Sequence, residues 1–411
     1  MTQTLLRNAG LLDLDSESVL AGHSVLVEDD RIVEVAEGEI TAPEAQKVDL
    51  GGRTLMPGLI DAHVHAVITT MNLGEMFKRP ASLVAIEAAK ILEGMLQRGF
   101  TTVRDAGGAD AGLARAVESG LVAGPRIFYS GRTLSQTGGH GDFSAHDNEP
   151  SLCACRIYSN GFSHVADGVS AVRKAAREEL RRGASQVKIM ASGGVASPSD
   201  PIWNLQYSLE EMRAIVEEAA GWRTYALAHA YTPEAISRAI DAGVRTIEHG
   251  NLIDAPTAGR MHKAGAFLVP TLVTYFAIEE MGQKLGFPAK SLKKVTDVLD
   301  AGLASLEIAS AADVPIGFGT DLLGETHDQQ SREFSIRARV QSPAEILRSA
   351  TLVNAEILQR SGELGVIAPG ALADILVVDG NPLEDIAILE GQGKNLPLIM
   401  KGGEIFSNRL S

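Results

Sequence analysis

The chain is predicted to fold as an α/β protein, a (β/α)8 TIM-like barrel carrying a small β-sandwich domain built from its N- and C-terminal segments. Three observations predict this. Short apolar strand candidates alternate with longer helical stretches between about residues 55 and 325. Those strand candidates number eight, the count of a closed barrel. Both ends of the chain are strand-rich, while the middle is not. A doubly wound open sheet is the structural alternative for the middle.

Taken in order, Val25 to Val35 alternates apolar and polar residues around Asp29-Asp30, which predicts a hairpin. The eight strand candidates follow: Leu55–His65, Thr101–Gly107, Arg126–Gly131, Gln186–Ser192, Thr224–Ala230, Thr246–Gly250, Phe267–Leu272 and Pro315–Asp321. Helix starts are marked by Ser208 with Glu211 and by Ser342 with Glu345, both capping boxes, and by Thr232 before Pro233. Two long connections, 132–164 and 322–340, are rich in polar residues and are expected to be lids or mobile surface. Ala373 to Asp379 and Leu398 to Phe406 again look like strands. The expected division is residues 1–56 and 365–411 for the β-sandwich domain, and 57–364 for the barrel.

Composition narrows the function. With 411 residues, 45% hydrophobic and 22% charged, the chain has enough apolar material for a large core, which excludes a disordered protein. A net charge of −15 argues against nucleic acid or an anionic membrane as partner. The two cysteines, Cys153 and Cys155, are too few for a disulfide scaffold and read as loop residues rather than a zinc site. No signal peptide or membrane-length apolar run is visible, so a cytoplasmic location is expected.

The chemistry gathers where strands end. His63 and His65 are two apart on a strand, so both face the same side, and at a barrel's carboxyl end they could share a metal. His229, His249 and Asp321 each end another strand candidate. Any one of them alone would read as a solvated strand end, but their convergence on one rim matches where this fold places catalytic groups. Lys188 sits inside the apolar strand QVKIMAS, where a buried ammonium must find a partner or lose its proton. A neutral amine there could add carbon dioxide, and the resulting carbamate could bridge two metals. Gly193-Gly194 is expected to form a tight turn beside the site.

These residues together resemble the amidohydrolase superfamily of metal-dependent hydrolases over nearly the whole chain. The stretches SGRTLSQTGGHGD, VKIMASGGVASPSDP, LAHAYTPEAI and VRTIEHGNLID look like its prolidase-type subgroup, which neighbours imidazolonepropionase. The resemblance implies two divalent metal ions, zinc foremost, held by His63, His65, Lys188 as N6-carboxylysine, His229, His249 and Asp321. It implies attack of a metal-bridging hydroxide on an amide, with Asp321 moving the proton, His140 polarising the scissile carbonyl and Tyr231 binding substrate near its carboxylate. The implied substrates are Xaa-Pro dipeptides; related subgroup members act on other dipeptides or on N-acyl amino acids such as ochratoxin. A homo-oligomer is also implied. Two other readings stay open, a cyclic-amide hydrolase of the imidazolonepropionase kind and a non-enzymatic barrel scaffold. Arg104 is a candidate clamp for a substrate carboxylate, and His327 could reach substrate from a lid. His146, His164 and His262 have no ligand-like context.

Overall fold

The computed structural model describes residues 2–76, 78–143, 158–159, 162–197, 200–287 and 289–410. His146, Cys153 and Cys155 lie outside the described residues. The chain opens with strands β1 (Gln3–Asp13), β2 (Ser18–Glu28), β3 (Arg31–Glu37), β4 (Gln46–Asp49) and β5 (Thr54–Pro57). The hairpin predicted at Asp29-Asp30 is present, with Glu28 opposite Arg31 and Asp29 turned to φ 51°.

Next come the strands that carry the site. They are β6 (Leu59–Val64), β7 (Phe100–Asp105), β8 (Arg126–Tyr129), β9 (Thr133–Ser135), β10 (Tyr158–Ser159), β11 (Ser163–Val165), β12 (Val187–Met190), β13 (Ala226–Ala230), β14 (Thr246–His249) and β15 (Phe267–Val269). Between and after them run helices α1 (Leu73–Met76), α2 (Ala81–Gln97), α3 (Ala111–Glu118), α4 (Val169–Arg181), α5 (Leu209–Gly221), α6 (Pro233–Asp241), α7 (Ala255–Ala264), α8 (Leu272–Met281) and α9 (Ala289–Ala311). Three shorter helices follow, α10 (Arg332–Arg337), α11 (Pro343–Arg348) and α12 (Asn354–Ile357). The chain closes with β16 (Ile375–Val378), β17 (Leu398–Lys401) and β18 (Glu404–Asn408).

Three sheets result. One joins the two ends of the chain in the order β18-β17-β16-β5-β1-β2-β3, with β4 beside β1. Its centre is the antiparallel pair β5 and β16, where Met56 faces Leu376, and its core includes Leu6, Val25, Leu55, Ile375 and Leu398. The second sheet, β6-β7-β8, is parallel. The third, β10-β11-β9-β12-β13-β14-β15, is parallel from β11 onward. Strands β12, β13 and β14 are buried at every position. That is why β12 and β13, apart from Lys188 and His229, are apolar rather than alternating, as expected where helices cover the outer face. Polar residues inside such runs stand out for the same reason.

The segment 315–321 forms one parallel bridge, Leu268 with Ile316, rather than the strand expected there. Its backbone nevertheless bonds on both sides: the Gly317 amide donates to Leu268 O (2.8 Å), while the Ala62 amide donates to Phe318 O (2.8 Å). Across the other gap the Ser185 amide donates to Tyr129 O (2.8 Å).

The expected caps are in place. Ser208 Oγ accepts from the Glu211 amide (3.2 Å) while the Glu211 carboxylate accepts from the Ser208 amide (2.7 Å), and Ser342 with Glu345 repeats the pattern. Thr232 caps α6, with Pro233 at its start.

Three further expectations are corrected. The run 55–65 is two strands in two sheets, divided at Gly58, where a Cβ would stand 2.1 Å from Thr101 Oγ1. Within 132–164, Thr133–Ser135 and Ser163–Val165 are paired strands rather than loop. Residues 322–340 are not an open polar connection: they hold a 3-10 turn, Gly324–Gln329, and α10, with Gln330, Glu333 and Arg337 fully buried. Their polar groups find partners inside, such as Arg337 with Gly317 O and Gln330 with Asp61, so polarity there did not mean exposure.

Candidate metal centre and active site

Six side chains converge beyond the carboxyl ends of the parallel strands. His63 belongs to β6, with His65 just after it. Lys188 is the second residue of β12, His229 the fourth of β13 and His249 the last of β14. Asp321 ends the segment after Ile316. Two of them, His249 (φ 72°) and Asp321 (φ 51°), hold left-handed backbone, which non-glycine residues adopt at a cost and mostly at functional sites. The Asp321 amide also donates to His63 O (2.8 Å), fixing these two residues against each other.

Ligand atoms of His63, His249 and Asp321 all lie within 4.8 Å of one another. Asp321 Oδ1 stands 3.5 Å from His63 Nε2 and 3.1 Å from His65 Nε2, and its Oδ2 4.0 Å from His249 Nδ1. His229 lies next to this group, its ring centroid 4.6 Å from that of His249.

Three of the imidazoles are fixed by a hydrogen bond at Nδ1. His63 Nδ1 bonds Glu248 Oε2 (2.6 Å), His65 Nδ1 bonds Gly107 O (2.9 Å) and His249 Nδ1 bonds Thr271 Oγ1 (2.8 Å). His63 Nε2 is buried and has no hydrogen-bond partner. A nitrogen fixed in this way, with its lone pair aimed at a carboxylate and two further imidazoles, fits a divalent cation and is otherwise costly to bury. The donor set of imidazoles and carboxylate is the one zinc and similar cations take.

Protonation favours the same use. Burial, then the charge of Lys188, holds His63 well below the usual imidazole range. Burial holds His229 well below it too, and brings His249 to about 3. Three neutral rings are three available lone pairs. His65 moves the other way: burial opposes its charge, but the bonded Asp321 carboxylate prevails and raises it. Asp321 is pushed up by burial, yet His63 and His65 hold it below the ordinary carboxylate range. Lys188, 1% exposed, is lowered to about 8 by burial, with Glu248 and Asp321 pulling against that shift. An amine near that value is partly neutral at physiological pH.

A cavity opens over these groups. His140 and Tyr231 line it. The His140 ring stacks on His229 (centroids 4.3 Å apart, 15° between planes), and Tyr231 stacks on His249 (5.1 Å, 10°). The Tyr231 and Tyr275 hydroxyls are 2.8 Å apart. Ile68, Phe143, Phe162, Val195 and Leu323 give the rest of the cavity an apolar wall. The tight turn expected at Gly193-Gly194 is not formed there, the bend falling at Val195-Ala196; Gly194 is instead crowded against the site, where a Cβ would stand 2.5 Å from His229 Nε2 and 2.6 Å from His140 Cε1.

Two sequence candidates lie elsewhere. Arg104 is fully buried beneath the site, its guanidinium bonded to both Glu248 oxygens (2.8 and 2.9 Å) and to Thr246 Oγ1 (3.0 Å), so it is not placed to clamp a substrate carboxylate. His327 is buried against Ile68 O (3.2 Å) rather than facing the cavity. Conversely, Glu248, Thr271, Asp61 and Tyr275 belong to the site and were not singled out from sequence. Glu248 carried the same signal as Lys188, a charge inside an apolar strand, in TIEHG. Asp61 accepts from the His63 amide (3.0 Å) and from Thr320 Oγ1 (2.6 Å), tying β6 to the segment that bears Asp321.

Comparison with known proteins gives a consistent picture. The profile described as "Amidohydrolase family" matches residues 54–405. The crystal structure of an amidohydrolase superposes with a TM-score of 0.98 at 55% identity, covering 100% of both chains. The crystal structure of a prolidase complexed with N-methylphosphonate-L-proline superposes with a TM-score of 0.97 at 52% identity, covering 99% of this chain and 100% of that one. Ochratoxinase from Aspergillus niger is 32% identical over 365 residues, 86% of this chain and 75% of the relative.

Proposed function

The chain belongs to the amidohydrolase family, with prolidase-like structural neighbours, and on that premise we propose that it cleaves the amide bond of Xaa-Pro or closely related dipeptides at a binuclear metal centre. Hydrolysis of amide bonds in small molecules is the family's activity, and a His/His/Asp cluster fit for a cation is present. The observation that carries the metal reading is the buried, partnerless Nε2 of His63 facing Asp321.

In this reading His63, His65 and Asp321 hold one divalent ion, zinc by preference, and His229 and His249 hold the other. Lys188, carboxylated on its amine, would add an anionic ligand to this set; its lowered pKa supports the neutral form that carboxylation requires. Bound cations of this kind polarise a carbonyl and make hydroxide available near neutral pH. Asp321 takes the proton of the attacking water on its carboxylate. It returns that proton to the leaving nitrogen as the C–N bond breaks. His140 faces the scissile carbonyl, and the Tyr231 hydroxyl, set by Tyr275, meets the substrate's carboxylate end. The hydrogen bonds from segment 315–321 to both β15 and β6 support a closed (β/α)8 barrel over residues 57–364. The sheet joining both termini supports one small β domain from residues 1–56 and 365–411. A homo-oligomer in the cytoplasm completes the proposal. Among the described residues no helix is long and apolar enough to cross a membrane.

The likeness to ochratoxinase favours one second reading, N-acyl amino acids as substrates. The test is release of free amino acid from a panel of Xaa-Pro, other dipeptides and N-acyl amino acids, using zinc-loaded protein expressed with bicarbonate. Preference for Xaa-Pro is expected, with two metals per chain that fall to fewer in Lys188→Ala. A Lys188→Ala variant with two metals and full turnover would refute the bridging lysine. A panel cleaved only outside Xaa-Pro would move the substrate and keep the chemistry.

A further inference from the structure

The loop that follows β12 does more than turn the chain. Asp200, 2% exposed, lies on it and aims one carboxylate oxygen at three donors. Oδ2 accepts from His140 Nδ1 (3.0 Å), from the Gly194 amide (3.1 Å) and from Gln206 Nε2 (3.3 Å). Gln206 in turn uses Oε1 to accept from the His140 amide (2.8 Å). His140 is therefore gripped at both its ring and its backbone by one small cluster. Its other ring face is taken by His229, and Gly194 leaves no slack at Cε1.

The cluster is itself held from outside the site. Lys294, on α9, sends its ammonium into the loop, donating to Gly194 O (2.8 Å), Ser197 O (2.6 Å) and Asp200 O. Ser291, one turn earlier, reaches Ala196 O (3.4 Å). Three carbonyls converge on one half-buried ammonium, and these charge-assisted bonds offset the mutual repulsion of the carbonyl dipoles.

We infer that Asp200 is a positioning residue for His140, and that Lys294 is the brace that holds Asp200 in place. The inference rests on the reading above in which His140 faces the scissile carbonyl. Neither residue touches substrate; each acts through the orientation of the His140 ring. A ring turned away by an ångström loses its alignment with the reacting carbonyl, an error worth roughly 10²-fold in rate.

The test is a double-substitution cycle on the zinc-loaded protein with its best amide substrate, with metal content measured on every variant. Asp200→Asn keeps the shape and is expected to lower kcat roughly 10–100-fold while KM moves by no more than about threefold. In a His140→Ala background the same substitution is expected to change kcat by less than about twofold, since the group it positions is gone. Lys294→Met should lower kcat in the same direction, and Lys294→Arg, which still offers donors to the carbonyls, should restore most of it. Additive losses in the cycle, or metal lost in step with activity, would overturn the proposal. A second readout needs no substrate. In 15N-histidine-labelled protein, the ring signals missing from His140→Ala identify His140, and Asp200→Asn is expected to shift them. Unchanged signals would sink the positioning role, whereas shifted signals in a protein silent on every amide would count against the functional reading alone.

Discussion

The imidazole of His63 is bonded at one nitrogen and open at the other, and the bond is to a carboxylate that is itself fully paired. Glu248 accepts from His63 Nδ1 at 2.6 Å, and both of its oxygens accept from Arg104 Nη2 (2.8 and 2.9 Å). All three residues are completely buried. A carboxylate behind a ligating histidine fixes its tautomer and makes its lone pair more basic. Glu248→Gln keeps an acceptor but removes the charge, and it is expected to weaken metal binding by about 10–100-fold. Titration against a competing chelator reads this directly; wild-type affinity in a folded Glu248→Gln protein would remove Glu248 from the metal's support. Much of the site at this scale was readable from residue type against background. Lys188, His229 and His249 are polar residues in strands with no other reason to be polar, and the two-residue spacing of His63 and His65 placed both beside Asp321. Arg104 misled because the same argument, a charge at a strand end, does not say whether its partner is a ligand or a buried carboxylate. The partner, Glu248, lies 144 positions away in sequence.

At the scale of elements, the segment after β12 tolerates little change beside the site. Gly194 is packed against His229 and His140 so closely that a methyl group has nowhere to go without moving one of the two rings. Gly194→Ala is expected to cut kcat/KM by roughly 10²-fold with little change in thermal stability, because the displaced groups are side chains at the cavity and not the core. Activity and melting curves measured on the same preparation check this; a large drop in melting temperature with activity intact would place the role of Gly194 in folding instead. Helix starts were legible because capping is local, and Ser208, Thr232 and Ser342 all act within three residues of themselves. Strand limits were not, since they are set by partners. The run from Leu55 to His65 reads as one strand, yet it is divided between two sheets at Gly58, which is crowded against Thr101. Residues 322–340 looked exposed because composition does not reveal that Gln330, Glu333 and Arg337 bond inward.

For the molecule as a whole, the sheet that unites both ends of the chain shares no strand with the site but is joined to it by the chain: β5 leads through Gly58 straight into β6, which carries His63. Ile375, fully buried at the centre of that sheet between Pro57 and Met400, has no contact with the cavity. Ile375→Ala is expected to cost about 2–5 kcal/mol of stability while leaving kcat per metal-loaded molecule unchanged. Denaturant melts beside kinetics test this; a fall in kcat at full metal occupancy would mean that the terminal sheet sets site geometry. The strand-rich ends predicted such a sheet, but not its pairing, because no local pattern tells β5 that its neighbour is β16.

That pairing also fixes an order of events at birth. Met56 leaves the ribosome roughly 320 residues before Leu376, the residue it must face, and at about 5–20 residues per second the wait is roughly 20–60 s. During that interval one side of β5 is an unpaired apolar edge, the kind that recruits other chains. The emerging polypeptide is thus a natural client for a holding chaperone.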